Sequence, residues 1–223
     1  MIRSPLSTTV IFHLGPVPIS DTVATTWGLM AALTVGAALA TRNLKTRPGR
    51  LQAALELLVT GVQGQVRETL RADPGPYIAF LGGLFVFVAS ANLLSLIPGL
   101  EPPTAHIETD AALAAIVFCA THWFGVRAKG LGPYLADFAR PTWLMLPLNL
   151  ISEFTRAFSL MVRLFGNIMS GVFIIGVVLS LVGLFAPVPF MALELLTGLI
   201  QAYIFTVLAM VFIGGAVSSS RSA

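Results

Sequence analysis

The sequence predicts an all-α polytopic membrane protein with five membrane segments, two of them long, and one amphipathic helix at the interface. Three observations predict this. Of 223 residues, 56% are hydrophobic and only 10% charged, against about 25% charged in soluble domains; mean hydropathy is +0.88. Apolar runs long enough to cross a bilayer recur along the chain. The basic residues gather between alternate runs. The chain reads as a single integral membrane domain over 1–223.

The N-terminus carries one basic residue, Arg3, and an apolar run broken by His13 and two prolines. It makes a poor signal peptide, so cleavage is not expected. The first span is 23–41. The stretch 50–71, "RLQAALELLVTGVQGQVRETLR", has a polar face and basic ends and is expected to lie at the interface. Further spans are 76–98 and 109–126, then a long run over 142–185 and a final helix over 188–217. No internal repeat or low-complexity stretch is visible. The single cysteine, Cys119, excludes an internal disulfide and is expected to be packed as an apolar residue.

Charge placement orients the chain. Arg42, Lys45, Arg47, Arg50, Arg67 and Arg71, then Arg127, Lys129 and Arg140, then Arg221, fall on one side if every segment crosses once. The other side holds Arg3 and the acidic loop "GLEPPTAHIETD". The N-terminus is therefore expected outside and the C-terminus in the cytoplasm.

The 142–185 run is too long for an upright span. As helix it would extend roughly 65 Å against a core of about 30 Å. It must break or lean strongly, with Pro147, Gly166 and Gly171 as break points. Its polar residues, Ser152, Arg156, Ser159, Arg163, Asn167 and Ser170, are spaced to share one helical stripe. Such a stripe must face protein or water. The last helix has a shorter one: Glu194, Thr197 and Gln201. Small residues beside Arg163 and Asn167 allow another helix to approach.

Arg163 poses the main question, because a charge at mid-membrane costs about 2.5–3.5 kcal/mol or more. It is either functional or a static partner of Glu194. Arg156 is expected to snorkel or to pair with Glu153. His122, beside Trp123, reads as a satisfied interfacial residue. His106, Glu108 and Asp110 are either a solvated loop or part of a path. No zinc cluster, phosphate loop or hydrolytic constellation is present, so no metal, cofactor, nucleic-acid partner or covalent active site is expected.

"SLMVRLFGNIMSG" closely resembles the signature of subunit a of F-type ATP synthases. "ANLLSLIPGLEPPTAHIETDAALA", "THWFGVRAKGLGPYL" and "ELLTGLIQAYIFTVLAMVFIGGAV" are similar to other parts of that family, so the resemblance covers roughly residues 75–217. It implies two long, tilted helices lying against a ring of c subunits, with b-type peripheral stalk chains and a soluble ATPase head as further partners. The setting implied is a bacterial-type inner membrane. Within the resemblance, Arg163 matches the essential arginine, Gln201 the final-helix glutamine, Asn167 the asparagine after the arginine and Asn92 the asparagine at the second span's exit. Ser159 and Ser170 belong to the ring-facing stripe. Glu194 falls where the family holds histidine or glutamate. The chain departs from the family at Val172, where a second ionisable residue is usual. The outer access path is then expected to rely on Glu194 with Gln201, Asn92 and the loop residues His106, Glu108 and Asp110. The chain itself is not expected to be an enzyme; it would pass H+ or Na+ between two half-channels. A self-contained transporter or a membrane scaffold are the other classes, and the former would need repeats or broken helices.

Overall fold

A computed structural model describes residues 10–14, 17–42, 49–70, 73–96, 102–138, 142–183 and 186–218. Two short strands, β1 (Val10–Leu14) and β2 (Val17–Ser20), pair antiparallel and lead directly into α1 (Asp21–Thr41). The hairpin is not foreseen by the sequence reading. Its runs of β-branched residues, on either side of a Gly-Pro pair, suit paired strands. Every other long element is helical: α2 (Arg50–Leu70), α3 (Gly75–Leu93), α4 (Ile107–Lys129), α5 (Leu131–Phe138), α6 (Met145–Val182) and α7 (Val188–Ser218). A single 3-10 turn at Leu94–Leu96 extends α3, and another at Pro103–Ala105 precedes α4. Among the described residues, five helices are long and apolar enough to cross a membrane: α1, α3, α4, α6 and α7. The fold is thus an all-α, multi-pass membrane fold with a small added hairpin. Lys45, Arg47, Arg71, Arg140 and Arg221 of the charge argument, and Arg3, lie outside the described residues.

The long run does not break. α6 is one helix of 38 residues, about 57 Å at 1.5 Å per residue. Pro147 sits in its first turn, where a missing N–H leaves no hydrogen bond unmade. Gly166 and Gly171 lie within regular helix. With breakage removed, tilt is what fits such a length to a core of about 30 Å. The helix ends at Gly183, with φ +94°, a conformation open essentially to glycine alone. Gly130, with φ +84°, ends α4 in the same way and turns the chain into α5.

α7 is the central element and packs along α3, α4, α6 and α2. Its buried positions include Glu194, Gly198, Gln201, Ala202, Phe205, Ala209, Met210 and Ile213, a helical stripe. Leu81, Leu84 and Val88 of α3, Leu113 and Val117 of α4, and Leu160 and Leu164 of α6 meet it. Val66 and Leu70 dock the end of α2 on the same core. α1 stays almost wholly uncovered by the rest of the chain, as an apolar helix can when lipid is its solvent. Cys119 is exposed on α4 rather than packed inside.

Candidate functional site

The stripe on α6 is a face, but not a covered one. Leu160, Leu164 and Ile168 are the buried side of the helix. Ser152, Ser159, Arg163 and Ser170 point away from the rest of the chain and are exposed. Arg163 forms no ion pair with Glu194 or with any other acid among the described residues. The static pairing with Glu194 is therefore not what this chain adopts. Arg156 does find a local acid, Glu153, at 2.9 Å, and its guanidinium lies 5.7 Å from the Phe212 ring centre. Ser170 donates back to the Asn167 carbonyl at 2.8 Å, and the Asn167 side chain turns inward with Nδ2 buried and without a hydrogen-bond partner.

Behind that face, α6 and α7 approach closely at Gly171. A methyl group there would lie 2.7 Å from the Glu194 carboxyl, far inside contact distance. The glycine thus leaves the space that the Glu194 carboxyl occupies, one residue before Val172. Glu194 is 8% exposed, and its Oε1 has no hydrogen-bond partner on the chain. Gln201, seven residues on and on the same face, is 7% exposed with Nε2 likewise unpartnered.

Between Glu194 and Gln201 the helix is tied to α3. Asn92 Nδ2 donates to the Gly198 carbonyl at 2.8 Å, and Asn92 Oδ1 accepts from the Thr104 hydroxyl at 3.0 Å. A side chain at Gly198 would press on Asn92, with a Cβ only 3.1 Å away. One asparagine so joins α3, α7 and the 3-10 turn before α4. That turn is no solvated loop: Pro103, Thr104 and Ala105 are buried, as is His106. Glu108 is exposed, whereas Asp110 is 0% exposed on the core-facing side of α4. The structure therefore brings Asn92, Asn167, Asp110, Glu194 and Gln201 into the interior between four helices, leaves Arg163, Ser159 and Ser170 on its outer face, and leaves Glu108 outside both groups. No group of three or more His, Cys, Asp or Glu side chains able to hold a metal occurs among the described residues.

A family model described as "ATP synthase A chain" matches residues 23–214. The chain belongs to the ATP synthase A chain family. ATP synthase subunit a 2 of a Bradyrhizobium species is 58% identical over 219 residues, covering 98% of each chain. ATP synthase subunit a of Albidiferax ferrireducens is 47% identical, covering 93% of this chain and 90% of its own. ATP synthase subunit a 1 of Prosthecochloris aestuarii is 46% identical over 94% of this chain and 95% of its own. A member of the ATP synthase A chain family is a membrane subunit of the ATP synthase complex; catalysis belongs to the whole complex and not to this chain alone.

Three parts of this family member's interior escape sequence reasoning. Gly171 and Gly198 matter for what they make room for, which depends on residues far away in sequence. Thr104 matters because its turn is tucked inward. The third is α5, within what reads as a basic loop. It is held by Lys129–Asp137 at 2.8 Å and by Tyr134, whose ring fills the space that a side chain at Gly125 would need. Asn149 Nδ2 then donates to the Phe138 carbonyl at 2.9 Å, fastening the start of α6 to the end of α5. His122 is satisfied locally, with Nδ1 2.8 Å from the Phe118 carbonyl and its ring among Phe118, Tyr134 and Phe138.

Proposed function

We propose that this chain is the ion-translocating stator subunit of a rotary F-type ATP synthase, supplying two offset half-channels to a c-ring with Arg163 fixed between them. One observation carries this. Arg163 stands on the uncovered face of a long helix with no acid among the described residues to balance it. A permanently charged guanidinium in a membrane segment needs a counter-charge or water, and an acid on another chain is the counter-charge this reading supplies. Ring carboxylates meet that need. A neutral, ion-loaded carboxyl can pass through lipid and an ionised one cannot. Arg163 attracts the ionised carboxylate and favours release of its ion. It also bars direct passage from one half-channel to the other.

The inner polar residues supply the outer route under this reading. Buried polar atoms are nearly always hydrogen-bonded, and leaving one unmet costs about 1–3 kcal/mol. Asn167 Nδ2, Glu194 Oε1, Gln201 Nε2 and both Asp110 oxygens have no partner on the chain. Water threading between the helices would satisfy all of them. His106 and Asn92 border this region, and Glu108 stands at its exposed entrance. The partners are the c-ring, b-type peripheral stalk chains and, through them, the soluble head. The membrane is a bacterial inner membrane, with the N-terminus outside and the C-terminus in the cytoplasm.

The test is Arg163→Ala in the assembled complex. Coupled ATP synthesis is expected to vanish and passive ion flux through the motor to rise, while hydrolysis by the detached head is untouched. Arg163→Lys should fail as well, because a buried ammonium loses its charge more readily. Gradient-driven synthesis surviving in an assembled Arg163→Ala complex would refute the reading. Orientation is checked by single cysteines. One replacing Arg67, exposed near the end of α2, should react only from the cytoplasm, and one replacing Glu108 only from outside; labelling of both from one side overturns it.

A further inference from the structure

Among the described residues, Asp110 is the one acid whose whole side chain is closed off from solvent, with neither carboxyl oxygen hydrogen-bonded on the chain. Its level in the bundle follows from register. Val117 and Thr121 of α4 line one small cavity together with Arg156, Ala157 and Leu160 of α6. Seven residues back from Val117 is Asp110, and seven residues on from Leu160 is Asn167. Each step is about 10.5 Å of helix, so in oppositely running helices the two residues arrive at the same height. Asn167 brings its own unpartnered Nδ2 to that height. The 3-10 turn at Pro103–Ala105 contacts both α4 and α6, and its Thr104 is tied to Asn92 and, through it, to Gly198. By register, the ionisable side chains around this layer are His106 just before α4, Arg163 one turn away on α6 and Glu194 one turn away on α7.

An ionised carboxylate would not persist there without water or a cation at hand, because an isolated buried charge is prohibitively costly. It must be neutralised by what reaches it. Resting on the stator reading above, we infer that Asp110 is an ion-holding station on the outer route, taking up the coupling cation from the outer side and passing it toward the layer of Asn167 and Glu194. The fit is best for H+. A bound metal cation of the hard kind gathers about six or more oxygen ligands, and no cluster of three acidic or metal-ligating side chains stands here among the described residues. In the proton case the step is a simple exchange. The carboxylate accepts H+ from outer water to become COOH, then returns that proton to the next water or acceptor inward; no other bond changes.

The experiment uses the whole complex reconstituted in liposomes. Asp110→Asn keeps size and polarity but cannot carry a proton. It should lower gradient-driven synthesis at least about tenfold while the complex assembles and the head still hydrolyses ATP. Asp110→Glu, which restores the chemistry, should recover a substantial part of the rate. A purely structural buried acid predicts the opposite: the neutral isostere works and the longer acid does not. Wild-type synthesis in Asp110→Asn overturns the inference. So does failure of both Asp110→Asn and the smaller Asp110→Ser to assemble, since holding an ion is not needed for packing. Running the assay with and without Na+ identifies the cation. A deficit that persists without Na+ marks H+, and one seen only with Na+ marks Na+; either supports the station. If Asp110→Asn is normal while Arg163→Ala is dead, only this inference fails; if Arg163→Ala still synthesises, the stator reading fails first.

Discussion

Two polar regions of this chain lie on neighbouring faces of α6 and differ in where their partners are. On the outer face, Arg163, Ser159 and Ser170 are uncovered, and no acid among the described residues pairs with the charge. On the inner side, Asn167 turns a buried, unpartnered Nδ2 inward, and Asp110, Glu194, Gln201 and the bonded trio Asn92, Thr104 and Gly198 are buried on the other helices and the turn before α4. Under the stator reading, the outer face is completed by the c-ring. The inner region is nearly finished within the chain, short of a few unpartnered atoms. Under the same reading, a membrane helix with one unfinished face outward and another inward would connect an interior route to an external surface.

The sharpest way to break the contrast after Arg163→Ala is Glu194→Gln. If the interior is a route, synthesis should fall by about a hundredfold with assembly intact, and an acid or histidine at Val172, the residue after Gly171, should restore part of it. Synthesis at the wild-type rate would return the inner region to a packing role. A smaller effect is expected for Gly171→Ala. The added methyl meets the Glu194 carboxyl at 2.7 Å, so the carboxyl must move, and the rate should fall roughly tenfold without loss of the complex; an unchanged rate would show that the carboxyl's position there is immaterial. The smallest effect on turnover belongs to Asn92→Ala. It removes two buried hydrogen bonds, to Gly198 and to Thr104, and should cost about 1–3 kcal/mol of stability. Thermal unfolding of the purified complex reads this directly, and an unshifted midpoint would show that the tie is idle.

How far the sequence discloses this molecule depends on the range of the interaction. The spans are legible because each is a long apolar run, and α6 because its polar residues recur every three or four positions. The same periodicity shows that Arg163 and Asn167 share a stripe, but not which side of that stripe other helices cover. Burial of Leu160, Leu164 and Ile168 answers that, and it depends on α4 and α7. The sequence leaves the loop of His106, Glu108 and Asp110 open between a solvated loop and part of a path; the turn before it is buried, with Thr104 bonded to Asn92 of another helix. The hairpin and α5 are too short to carry a periodic signal. Gly171 looks like any small residue until Glu194, distant in sequence, is found filling its space.

The clamp at the start of α6 has a mechanical meaning. Lys129 grips Asp137, Tyr134 beds against Gly125, and Asn149 is fastened to Phe138, so the first turns of the helix are anchored through α5 to α4. Further along, the same helix rests on α7 at Gly171. Arg163 lies between these two supports. A rod held at two points deflects far less under a sideways load than one held at a single end. A surface turning past Arg163 would therefore meet a stiff bearing, and little of its work would be lost to flexing of the part that stands still.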